Sequence, residues 1–165
     1  MRVCKARPAP AGCSYPGPVS FGAPPPLHLD PLAAASLRLA WVEGVEARAE
    51  PCGYLLGTEA EDGVWVTHVR AGVNGHPQPE RGFLLGPTEQ LAVRREARAV
   101  GERVVGLWHG HLVGSAHPSR ADTEGLGPLG PTLMLIAGRE GLEPPRLRAW
   151  RWAGEAWSEL ALVIG

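Results

Sequence analysis

The chain has 165 residues, 44% of them hydrophobic and 20% charged, with a formal net charge of −1. These values suit one soluble globular domain with a sizeable core. They argue against the basic surface that nucleic acid or an anionic membrane selects, and no run approaches the roughly 20 apolar residues of a membrane span.

Residues 1 to 27 hold Pro8, Pro10, Pro16, Pro18, Pro24, Pro25 and Pro26 with no apolar period. Such a segment buries too little to offset its ordering entropy, so it reads as an extended or disordered leader, with the domain proper over 28–165. It also lacks the continuous apolar stretch of a secretory signal. Cys4 and Cys13 lie in it and read as incidental thiols. Three cysteines make no disulfide framework, and the expected setting is reducing and cytoplasmic.

Asp30-Pro31 reads as an N-cap followed by proline at the first helical position. Leu32, Ala35, Leu39, Val42 and Val45 recur at helical spacing, which predicts an amphipathic helix over 31–47 with that face against a sheet. Pro51 to Thr58 and Gly63 to Arg70 read as two strands of a hairpin, with Asp62-Gly63 as the turn. Ala71 to Arg81 is a polar loop long enough to be functional, and Phe83-Leu84-Leu85 a short edge strand.

A second helix is predicted over 88–100, with Leu91, Ala92, Arg95 and Ala99 on one face and Gly101 as its stop. The apolar run Val104 to Trp108 then predicts a buried strand, and Pro118-Ser119 the opening of a short helix. Thr132 to Ala137, Arg146 to Trp152 and Ala156 to Ile164 complete the strands. The order αββαβαβββ is an α+β, or mixed three-layer, architecture around one sheet.

Trp108 to Glu124 carries the densest set of metal-capable side chains, in the spacing H-x-H-x7-S-x2-D from His109 to Asp122. Side chains two apart on a strand point the same way, so His109 and His111 project together from a strand end. Two imidazoles and the Asp122 carboxylate make a three-ligand site with one position open, the arrangement of a catalytic zinc. Each piece also has an ordinary reading: a structural histidine at a strand end, and Ser119 with Asp122 as a capping box at a helix start. His68, His76 and His117 read as strand or loop residues outside the site. Cys52 reads as a small apolar packing residue, with a nucleophilic Cys52–His pair as the rival. Trp150, Trp152 and Trp157 read as core and cross-strand packing.

The spacing resembles the signature of the JAMM, or MPN-plus, zinc metallopeptidases of the JAB-domain type, in their prokaryotic single-domain form. The same family places a glutamate ahead of a strand reading roughly E-x-C-G-x-L-L-G, and Glu50 to Gly57 (EPCGYLLG) matches it. The resemblance covers about residues 28 to 160. It implies a cytidine-deaminase-like three-layer fold with a mostly antiparallel sheet and the metal at a strand end. It further implies that His109, His111 and Asp122 bind one zinc, that Glu50 is the general base, and that Ser119 holds the developing oxyanion. The implied reaction is hydrolysis of an amide or isopeptide bond after the C-terminal Gly-Gly of a ubiquitin-like or sulfur-carrier protein. The alternative within the family is a non-catalytic scaffold. Neither nucleic acid nor membrane is an expected partner, and the sequence leaves a homodimer open. Where much of the family reads H-S-H-P, this chain has Gly110 and Leu112. Neither is a ligand, so the expected consequence falls on the rigidity of the loop and the surface the substrate meets.

Overall fold

A computed structural model describes residues 24–126, 132–139 and 144–165. Cys4, Cys13 and the first 23 residues of the expected leader lie outside the described residues. The elements run β1 (Leu27–Leu29), α1 (Pro31–Ala47), β2 (Cys52–Ala60), β3 (Gly63–Ala71), α2 (Pro87–Ala99), β4 (Arg103–Gly110), α3 (Arg120–Leu126), β5 (Thr132–Gly138), β6 (Arg146–Trp152), β7 (Trp157–Leu160) and β8 (Leu162–Ile164). The order matches the expected one except at its ends. Leu27, assigned to the leader, is fully buried in β1, and the last predicted strand is broken at Ala161 into two. Phe83-Leu84-Leu85 forms no strand; Leu85 makes only an isolated bridge with Asn74.

All eight strands form one mixed sheet in the order β7-β6-β5-β4-β2-β3-β1-β8. Pairing is antiparallel for β7–β6, β6–β5, β4–β2 and β2–β3, and parallel for β5–β4, β3–β1 and β1–β8. β7 and β8 stand at opposite ends of that order, yet only Ala161 separates them in the chain. The sheet must therefore curl until its two ends approach, and the Leu27 N–H donates to the Ala161 carbonyl oxygen at 2.8 Å at the junction. Register shifts at Leu55/Leu56 and Leu56/Gly57 interrupt β2, and bulges of this kind increase local twist.

The curl encloses α1. The Asp30 carboxylate caps the helix, accepting from the backbone N–H of Leu32 at 2.8 Å and of Ala33 at 3.3 Å. The buried face is Ala33, Ala34, Leu37, Trp41 and Gly44, packed with Leu29, Leu55, Val66, Trp108, Leu135 and other strand residues into the main core. This corrects the predicted stripe: Leu32 is 79% and Leu39 60% exposed, and Val42 and Val45 also face outward. α2 covers the other face of the sheet, burying Val93 and Ala97 against Tyr54 and Leu56. Its predicted face is corrected too, since Leu91 is exposed. Gly101, at φ +78°, ends it as expected.

Candidate metal centre

His109 is the penultimate residue of β4 and points to the α2 face, alternating with Trp108, which joins the core around α1. His111 follows one residue past the strand end. Their Nε2 atoms lie 3.0 Å apart. Asp122, in the first turn of α3, brings Oδ1 to 3.1 Å from His109 Nε2 and Oδ2 to 3.3 Å from His111 Nε2. All three residues are buried, and their ligand-capable atoms lie within 4.8 Å of one another.

The donor set fits a cation. Atoms bound about 2.0–2.2 Å from one tetrahedral ion lie roughly 3.2–3.6 Å apart, so this triad needs to open by only a few tenths of an ångström. Two imidazole nitrogens facing each other at hydrogen-bond distance cannot both present lone pairs without a proton or a cation between them. His111 Nδ1 lies 2.8 Å from the Ser115 carbonyl oxygen, an acceptor only, so Nδ1 carries the proton and Nε2 is left as the donor atom. Among the described residues nothing accepts from His109 Nδ1; the His109 ring is held instead by stacking on Phe83 at 4.6 Å.

Ser119 and Asp122 form the capping box that their spacing allows. The Ser119 N–H donates to Asp122 Oδ2 at 2.6 Å, and the Asp122 N–H donates to Ser119 Oγ at 3.2 Å. The capping box therefore aims the carboxylate at the histidines, while the Ser119 hydroxyl proton remains free to donate. Burial alone would raise the Asp122 pKa, but hydrogen bonding with His109 and His111 outweighs it and holds the carboxyl far below its usual range. Burial pushes His109 below an ordinary histidine, whereas for His111 burial is outweighed by the hydrogen bonds with Asp122 and the Ser115 carbonyl, which raise it.

Glu50 lies just ahead of β2, the strand that neighbours β4. Cys52 pairs with His109 across β2 and β4, and the Gly110 N–H donates to the Pro51 carbonyl oxygen at 2.9 Å. Continuing that register by two residues puts Glu50 across from His111. Glu50 is buried, and burial raises its pKa to about 7, with His111 pulling it down, Asp122 pushing it up and His76 pulling it down. Its backbone is pinned at both ends. The Glu50 N–H donates to the Pro79 carbonyl oxygen at 2.7 Å, and Asn74 Nδ2 donates to the Glu50 carbonyl oxygen at 3.0 Å.

The loop between β4 and α3 is held tightly despite Gly110 and Leu112. A Cβ on Gly110 would sit 2.8 Å from Trp41 Cδ1 and 3.0 Å from Pro51 Cγ, so those side chains fill the place a serine would take. Trp41 Nε1 donates to the His111 carbonyl oxygen, and Trp150 Nε1 to that of Ala116, both at 2.8 Å. Gly138 lets the loop backbone close onto β5, since a Cβ there would meet the Ala116 nitrogen at 2.4 Å.

The other candidates fall outside the centre. His68 is exposed and lies 3.0 Å from Glu102. His76 binds within its own loop and reaches the rim of a cavity beside Asp122. His117 is exposed, 3.0 Å from Ser115 Oγ and against the Trp150 ring. Cys52 is buried, and burial pushes its thiol up to about 12, which removes the thiolate a nucleophile needs. Trp150 packs in a core cluster, and Trp152 faces Trp157 across β6 and β7. Sequence reasoning missed Trp41, Asn74 and Phe83. Each reaches the centre from a distant segment, and no local spacing announces such contacts.

The sequence profile of the family described as prokaryotic homologs of the JAB domain matches residues 34–153. Among curated proteins no sequence matches. The fold is similar to the solution structure of a protein from Desulfitobacterium hafniense, at 22% identity and a TM-score of 0.75, over 84% of this chain and 92% of that one. A solution structure from Salinibacter ruber is similar at 29% identity and a TM-score of 0.57, over 79% of this chain and 88% of that one.

Proposed function

The chain belongs to the prokaryotic homologues of the JAB domain, and from that premise we propose that it is a zinc-dependent metallopeptidase. In this reading it hydrolyses the amide or isopeptide bond after the C-terminal Gly-Gly of a ubiquitin-like or sulfur-carrier protein. The observation that carries the reading is a cluster of three buried ligand atoms with the buried Glu50 across from His111, near enough for His111 and Asp122 to shift its pKa.

His109, His111 and Asp122 would hold the ion. Zinc, when bound, supplies a Lewis acid and lowers the pKa of a coordinated water to about 7. Glu50, held with its own pKa near that value, removes a proton from the attacking water. The water oxygen bonds to the glycine carbonyl carbon, the C–N bond breaks, and Glu50 returns the proton to the leaving amine. Ser119 donates its hydroxyl hydrogen to the oxygen that gains charge, an interaction whose removal costs roughly 10²–10³ in rate in comparable sites. An extended Gly-Gly tail has no side chain to clash in a narrow approach and can pair along an edge or loop such as 71–81.

Mass spectrometry of carrier proteins extended beyond Gly-Gly, with and without a chelator, tests the reading. Zinc-dependent release of the extension is expected. Turnover that survives complete metal removal would contradict it, and a purified chain that takes up no zinc would favour the scaffold alternative.

A further inference from the structure

A cavity of about 470 Å³ opens beside the centre on the α2 face of the sheet. Leu107 and Met134 form its floor, Phe83, Leu84 and Leu85 one wall, and α3 from Ala121 to Gly125 the other. It is continuous with the centre at two points: Asp122 lines it, and Phe83, which lines it, stacks on the His109 ring at 4.6 Å. The Gly-Gly acyl end of the bond has no side chain to enter such a space. A partly open recess of this size with apolar residues on its floor and one wall, next to the candidate ligands, can take a side chain, and with glycine at both acyl positions nearest the bond the amine side supplies it.

We propose that this cavity selects the residue released from the Gly-Gly terminus, and that this residue carries a large apolar side chain such as leucine, methionine or phenylalanine. The inference rests on the hydrolase reading above for the direction of the substrate. The specificity comes from Phe83, Leu85 and Leu107, which are only half-buried and lose water when such a side chain enters over the fully buried Met134.

The test uses the zinc-loaded full chain and acyl-Gly-Gly-X-amide peptides with X as Gly, Asp, Leu, Met or Phe. The expected kcat/KM for Leu, Met and Phe exceeds that for Gly by about 10–200-fold, the range over which apolar pockets discriminate. Gln90 lines the cavity from α2, so Gln90→Trp fills it and should bring the Phe-to-Gly ratio close to unity with zinc content retained. Leu84→Glu, on the exposed side of the same wall, should lower the ratio without filling the space. Equal rates for all X, or a preference untouched by both variants, would overturn the proposal. If no peptide is cleaved, the hydrolase reading fails, and the cavity is judged separately by NMR titration with N-acetylphenylalaninamide and N-acetylglycinamide. Saturable shifts around Phe83 and Leu85 with the first alone support the pocket, and their absence overturns it.

Discussion

Trp41 Nε1 donates to the His111 carbonyl oxygen at 2.8 Å, so a helix 70 residues upstream fixes the backbone of a candidate metal ligand. Both groups are buried, and a buried acceptor stripped of its donor costs about 1–3 kcal/mol. Trp41→Phe should therefore lower stability by about that amount and weaken zinc retention in a chelator competition. Unchanged melting and unchanged zinc affinity would show that the contact positions nothing.

Gly110 tests the same contact from the other side. Its missing Cβ is what leaves room for Trp41 and Pro51. Gly110→Ser, which restores the residue common in the resembling family, should destabilise by about 1–3 kcal/mol through overpacking. Thermal unfolding checks this, and in a Trp41→Leu background the serine should cost markedly less, because the nearest atom has gone.

Asn74 makes four hydrogen bonds at once. Its amide nitrogen donates to the carbonyl oxygens of Glu50 and Gly82, and its oxygen accepts from the N–H groups of His76 and Leu84. It is a positioning residue for the proposed base. Asn74→Ala should lower kcat by up to about 10²-fold, the cost of small misplacements in catalytic geometry. Zinc content should stay unchanged and KM nearly so. A loss confined to KM would point to the substrate loop instead.

Glu50 predicts a pH signature in the zinc-free protein. Its folded pKa, about 7, lies above the 4.5 of an ordinary glutamate, so the unfolded chain ionises first and stability falls as pH rises between those values. Glu50→Gln removes the effect. The variant should match the wild type below pH 4.5 and exceed it by about 3 kcal/mol at pH 8, measured as the difference in denaturant unfolding. Parallel curves across the whole range would contradict the buried-carboxyl assignment.

Cys52 should be silent. With its thiol pushed up to about 12, it is protonated at pH 8 and shielded by β2 and β4. In a Cys4→Ser, Cys13→Ser background the folded protein should resist thiol reagents that label it fully once unfolded, and Cys52→Ala should keep its activity. Rapid labelling of the native state would revive the cysteine mechanism.

Much of this site was legible in the sequence because its geometry is local. His109 and His111 are two apart on a strand, Ser119 and Asp122 three apart at a helix start, and both spacings carry their directions with them. Glu50 needed the strand motif that follows it. The helix faces were misread for a physical reason: the face of α1 that packs in the curled sheet mixes the small residues Ala33, Ala34 and Gly44 with Leu37 and Trp41, while the outer face carries Leu32, Leu39 and Val42, so apolar spacing alone does not tell the two faces apart. The three-residue β1 and the break at Ala161 leave no periodicity to read, since both are set by how the sheet ends meet. Trp41, Asn74 and Phe83 act across long separations, where composition and spacing carry no signal.

The most direct test of the account compares Glu50→Gln with the wild type, both loaded with one zinc, on a carrier protein extended beyond its Gly-Gly terminus. The variant should keep its zinc and release no extension. Release at the wild-type rate would contradict it.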